Sequence, residues 1–104
     1  MINKTEIEQK IVEALKTVYD PEIPVNVYDL GIIYKIELSE NGDVEIDMTL
    51  TAPNCPMADE LIEDIRSVVK AIDGVRGVSI NLVFDPPWSK DMLSESALLD
   101  LGLI

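Results

Sequence analysis

The chain has 104 residues, a formal net charge of −12 at pH 7 and no histidine. That length suits one domain, residues 1–104, with a modest core of its own. The acidic balance disfavours nucleic acid and anionic membranes, which need clustered cations. The missing imidazole removes the usual general base, the usual zinc ligand and the imidazole-dependent catalytic triads.

Hydrophobic content of 47% and a slightly positive mean hydropathy argue against disorder. No apolar run approaches the roughly 18 residues that a membrane helix needs. The first residues, Met1-Ile2-Asn3-Lys4-Thr5-Glu6, lack the basic and apolar regions of a signal peptide. A single cysteine forbids an internal disulfide, which fits a reducing compartment, so a cytoplasmic location is expected. A surface this acidic also suits encounters with basic protein surfaces.

Residues 3–18 read as an amphipathic helix, with Ile7, Ile11, Leu15 and Val18 in one stripe and Asn3 or Thr5 as the N-cap. Proline ends it at Tyr19-Asp20-Pro21. The connector from Asp20 to Gly31 is long for so small a domain, and it carries Asp20, Glu22 and Asp29. These carboxylates are hard oxygen ligands or partner contacts on one reading, and turn-forming, solvated groups on the other.

Ile32, Tyr34, Ile36 and Leu38 alternate along a first strand, and Asn41-Gly42 marks a hairpin turn. Val44, Ile46, Met48 and Leu50 alternate along the second strand. Helical spacing then runs through Ala58, Leu61, Ile62, Ile65, Val68, Val69 and Ile72, which predicts a helix over about 56–72 with Gly74 as C-cap. Val78, Ile80, Leu82 and Phe84 give a third strand. Pro86-Pro87 stops it, and a short helix follows between Leu93 and Leu101. The order is helix, strand, strand, helix, strand, then a short C-terminal helix. This is a two-layer α/β (α+β) domain with a mixed sheet, a crossover between the last two strands and helices on one face.

Cys55 lies in the strand-to-helix stretch Thr51-Ala52-Pro53-Asn54-Cys55-Pro56. With Pro56 as the first helical residue, Cys55 stands at the N-cap, facing free N–H groups and the positive end of the helix dipole. Both favour the thiolate, which is the nucleophile and metal ligand. Asp59 and Glu60 oppose it, and the plain alternative is a small buried hydrophobe. A zinc site would have to use Cys55 with carboxylates alone, an unusual set. Trp88 either covers the edge of the core or contacts a partner.

Three proline-marked segments lie at element ends: Asp20-Pro21-Glu22-Ile23-Pro24 with Asp29-Leu30-Gly31, then Thr51 to Pro56, then Phe84-Asp85-Pro86-Pro87-Trp88 with Met92. In this order they resemble the SufT/PaaD-like family, which includes the eukaryotic cytosolic iron–sulfur targeting factors. The resemblance implies a factor that matures iron–sulfur proteins. Its partners would be SUF-type scaffold proteins and apo-protein clients, and its fold would be similar to the C-terminal domain of NifU-like proteins. The family's reactive cysteine falls on Cys55, its acidic loop on Asp20 and Glu22, and its threonine on Thr51. PaaD proteins carry a further cysteine-rich region that this chain lacks, so the chain looks like a stand-alone SufT-type protein.

Iron–sulfur clusters prefer thiolate ligands. A cluster on Cys55 would therefore be transient, and shared with a second copy in a homodimer, a small thiol or a client, or completed by oxygen from Asp20 or Glu22. Two other readings stand beside this one. The first is a metal-free adaptor that binds client or scaffold through Asp20–Gly31, Thr51–Pro56 and Trp88. The second is a thiol enzyme, which the absence of histidine and of a resolving cysteine disfavours. A non-enzymatic factor is expected.

Overall fold

The computed structural model describes residues 3–21, 23–51 and 58–103. Helix α1, Lys4–Leu15, starts at Asn3, whose side chain accepts the Thr5 N–H. Asparagine is among the best N-caps because its short side chain satisfies a helix-end donor. Ile7, Ile11 and Leu15 are buried along one face, and Val18 is buried beyond the helix end. The helix proper is thus shorter than residues 3–18. Val18 reaches the core through a turn closed by its own N–H on the Leu15 carbonyl.

The Asp20–Gly31 connector contains a one-turn helix, α2, Val27–Leu30. Asn26 caps it by accepting the Asp29 N–H, and Gly31 ends it in the left-handed region at φ +84°. Strands β1, Ile33–Leu38, and β2, Asp43–Met48, form the expected hairpin. In the turn, Gly42 takes φ +90° and its N–H donates to the Ser39 carbonyl.

Helix α3, Ala58–Lys70, buries Leu61, Ile65 and Val69 and crosses to β3, Gly77–Leu82. The sheet order is β1-β2-β3, with β1 antiparallel and β3 parallel to β2. After Lys70 the chain makes a further turn before Gly74 takes φ +97°, so Gly74 belongs to the α3–β3 turn rather than directly capping the helix. A 3-10 turn at Lys90–Met92 and helix α4, Glu95–Asp100, capped by Ser94, complete the chain. The predicted start of α3 at Pro56 lies outside the described residues.

Central β2 is the best buried strand. Val44, Ile46 and Met48 pack with Ile11, Leu15, Leu30, Ile65 and Val69 in one core. Among the described residues no helix is long and apolar enough to cross a membrane.

The register departs from simple alternation in one place. Leu38 pairs with Val44 and Ile36 with Ile46, but Ile33 pairs with Met48, because the register shifts between Ile33 and Lys35. Such irregularities re-aim a side chain. Tyr34, expected on one face with Ile36 and Leu38, sends its hydroxyl to the C-terminal segment. It donates to the Pro86 carbonyl at 2.7 Å and lies 3.5 Å from Met92 Sδ.

Candidate functional site

The first motif segment is a pinched excursion from the end of α1. Val27 N–H donates to the Val18 carbonyl, Tyr19 and Asn26 form an isolated antiparallel bridge, and Asp20 N–H donates to the Val25 carbonyl. Inside it, Asp20 is only 7% exposed, and its Oδ2 accepts the Ile23 N–H at 2.9 Å. This is the turn role for Asp20: a buried acceptor that closes the loop over Pro21. Glu22, predicted beside it, lies outside the described residues.

The second segment leaves the sheet at the end of β2. Thr49 N–H still donates to the Ile32 carbonyl, Thr49 and Leu50 are buried, and Thr51 is half-buried. Cys55 and its neighbours 52–57 lie outside the described residues. Helix α3, described from Ala58, carries Asp59 and Glu60 in its first turn. Tyr19 and Pro21 from the first segment and Glu60, Leu61 and Asp64 from α3 line a cleft of about 200 Å³. The acidic loop therefore borders the helix that leads out of the cysteine segment.

The third segment is fastened to α2. Trp88 Nε1–H donates to the Leu30 carbonyl at 2.7 Å, and Ser94 N–H donates to the Asp29 carbonyl at 2.8 Å. A Cβ on Gly31 would overlap the Met92 carbonyl oxygen, so only glycine lets the two segments approach this closely. Half-buried Trp88 packs against the core, so its indole N–H has a structural use whatever its outer surface meets.

The fold thus joins the first and third segments directly, and sets the first against α3. Sequence reasoning did not pick out Tyr19, Glu60 or Asp64 as cleft residues. Glu60 and Asp64 are four apart on one helix, so their shared face was readable; the loop opposite them was not. The cleft offers carboxylates and one exposed phenol, a surface suited to cations and basic side chains. Among the described residues, no group of three or more cysteine and carboxylate side chains is placed to hold a metal ion.

Residues 8–82 match the family described as iron–sulfur cluster assembly protein. The chain belongs to this family. The match runs from α1 through β3, so it includes both the acidic loop and the cysteine segment and stops before Trp88.

Among relatives of this assembly-protein family, the Fe–S protein maturation auxiliary factor of Porphyromonas gingivalis is 59% identical, over 93% of this chain and 92% of its own length. The Fe–S protein maturation auxiliary factor SufT of Staphylococcus aureus is 37% identical, over 83% of this chain and 98% of its own length. An iron–sulfur cluster carrier protein of Deinococcus radiodurans is 41% identical over 67% of this chain, a match that spans 20% of that longer protein. The crystal structure of a domain of unknown function, DUF59, from Bacillus anthracis superposes with a TM-score of 0.89. It is 35% identical and covers 96% of this chain and 95% of its own.

Proposed function

We propose that this protein is an iron–sulfur maturation factor that transiently carries clusters, or helps deliver them to apo-proteins, alongside SUF-type machinery. Cys55 supplies the thiolate. The reading is carried by the 59% identity to a maturation auxiliary factor over nearly the whole chain. The chemistry is consistent with it. A lone thiolate gives incomplete ligation, so a cluster is held only while a second chain, a small thiol or a client supplies the remaining ligands. The factor works without catalytic turnover, in the cytoplasm, where a free thiol stays reduced.

The test is iron and acid-labile sulfide per chain after anaerobic purification, with Cys55→Ser alongside. The expected outcome is substoichiometric iron and sulfide in the native protein and neither in the variant. Client maturation that survives Cys55→Ser in cells lacking the native protein would remove the ligand role.

One observation favours a second reading, the metal-free adaptor: the first and third motif segments are fastened together through Trp88 and Leu30, and the first borders an acidic cleft with Glu60 and Asp64 that suits a basic partner. An adaptor loses client capture on Glu60→Lys with Asp64→Lys in the cleft and keeps it on Cys55→Ser. A carrier shows the reverse dependence in cluster transfer.

A further inference from the structure

The two edges of the sheet are built differently. Outer strand β1 carries Lys35 and Glu37 and a register shift beside Tyr34. Charges and bulges are the usual devices that keep an edge from pairing with another chain. Outer strand β3 has neither. Residues 77–84, Gly-Val-Ser-Ile-Asn-Leu-Val-Phe, contain no charge and no proline, and the pairing with β2 runs in unbroken register from Gly77 to Leu82.

The direction of the free backbone groups follows from that register. Val83 N–H donates to the Met48 carbonyl, and strand residues alternate sides. The amides of Val78, Ile80 and Leu82 therefore point away from β2, toward an edge that no described strand covers. Leu82 is 39% and Phe84 48% exposed along it.

The sheet face turned away from α1 and α3 supplies the second observation. It exposes Glu37, Asp43 and Glu45, with Asp47 beside them, against a single lysine, Lys35. On β3 the same face carries the neutral, exposed Ser79 and Asn81, and Asn81 Nδ2–H donates to Asp47 Oδ1 at 2.9 Å. The ammonium of Lys35 feels this field. Glu37 raises its pKa above 10.5, first by a hydrogen bond and then by charge, and Asp47 and Glu45 add to the effect. A cation is favoured on this face, and a second copy of so acidic a chain is not.

We propose that the open edge of β3 is a strand-addition site for an extended segment of a partner protein that alternates basic and apolar residues. The partner's backbone completes the hydrogen bonds of Val78, Ile80 and Leu82. Its basic side chains lie over Ser79 and Asn81 toward Glu45 and Asp47, and its apolar side chains continue the Val78 and Ile80 surface. The site makes no use of Cys55, so its success or failure is separable from that of cluster carriage.

The probe is a capped ten-residue peptide alternating lysine and valine. It is compared with a glutamate–valine version and with a version that has its lysines and valines in two blocks. The expected result is binding that slows amide exchange at Val78, Ile80 and Leu82 at least ten-fold. The glutamate and block peptides should bind at least ten-fold more weakly. Ser79→Lys, an exposed change, should weaken the alternating peptide at least ten-fold with the circular dichroism spectrum unchanged, and Leu82→Pro should do the same by removing an outward N–H. Four outcomes would overturn the proposal: no binding at millimolar peptide, equal affinity for all three peptides, protection on β1 instead, or self-association of the chain through β3 in sedimentation.

Discussion

Thr49 is 1% exposed, and its hydroxyl has no hydrogen-bond partner among the described residues. A buried, unsatisfied hydroxyl costs about 1–3 kcal/mol, and valine keeps its shape without its polarity. Thr49→Val is therefore expected to stabilise the fold by about 1 kcal/mol, read as a higher urea midpoint at constant slope. A lower midpoint would mean that the hydroxyl has a partner after all. If maturation activity falls while stability rises, the hydroxyl is retained for the adjoining cysteine segment rather than for the fold. Trp88 predicts the opposite sign. Trp88→Phe keeps much of the packing but strands the Leu30 carbonyl, and should cost about 1–2 kcal/mol in the same titration. The alternation from Val44 to Leu50 gave Met48 and Leu50 their places correctly but put Thr49 on the solvent side. Its burial depends on what folds over the end of β2, and local alternation carries no record of that.

At the scale of elements, Gly31 joins two parts of the chain far apart in sequence. It ends α2 at φ +84° and lies against the Met92 backbone. Gly31→Ala should destabilise by about 2 kcal/mol or more, from left-handed strain together with the displaced C-terminal segment. Trp88 is the single tryptophan, so its fluorescence reports the displacement directly; an unshifted native emission with unchanged stability would show that the contact gives way freely. The helices and strands were legible because each has a clear period and an end signal: Ile7, Ile11 and Leu15 at helical spacing, Val44, Ile46 and Met48 at spacing two, Asn41-Gly42 between strands. Helix α2 was not, because one turn of Val27–Leu30 is too short to display a period. The register shift at Tyr34 was hidden for a related reason. Ile32, Tyr34, Ile36 and Leu38 alternate faultlessly in sequence, and the shift serves a contact with Pro86 and Met92 more than fifty residues away. At the site, the composition of the Asp20 loop left turn and ligand roles both open, while the cleft it forms with Glu60 and Asp64 required the packing of α1 on α3.

Over the whole molecule, charge dominates. Twenty acidic residues face eight basic ones, so most carboxylates have no cation to pair with. The ion pairs among the described residues, Lys35 with Glu37 and Arg66 with Glu63, are both exposed and contribute little. The folded chain therefore repels itself more than the expanded one does. Raising the ionic strength from 0.01 M to 1 M shortens the screening length from about 30 Å to about 3 Å, which should relieve that repulsion. A gain on the order of 1 kcal/mol corresponds to a rise of about 4–8 °C in Tm for a domain of this size. Thermal melts across a sodium chloride series test this, and a falling Tm would mean that favourable charge pairs outweigh the net repulsion. Docking of a basic segment on β3 should respond in the reverse sense, because salt screens the attraction of Glu45 and Asp47 for incoming cations. The same titration that raises Tm should thus weaken the alternating lysine–valine peptide. This opposition separates electrostatic docking on β3 from a general effect of salt on hydrophobic burial, which would strengthen fold and complex together.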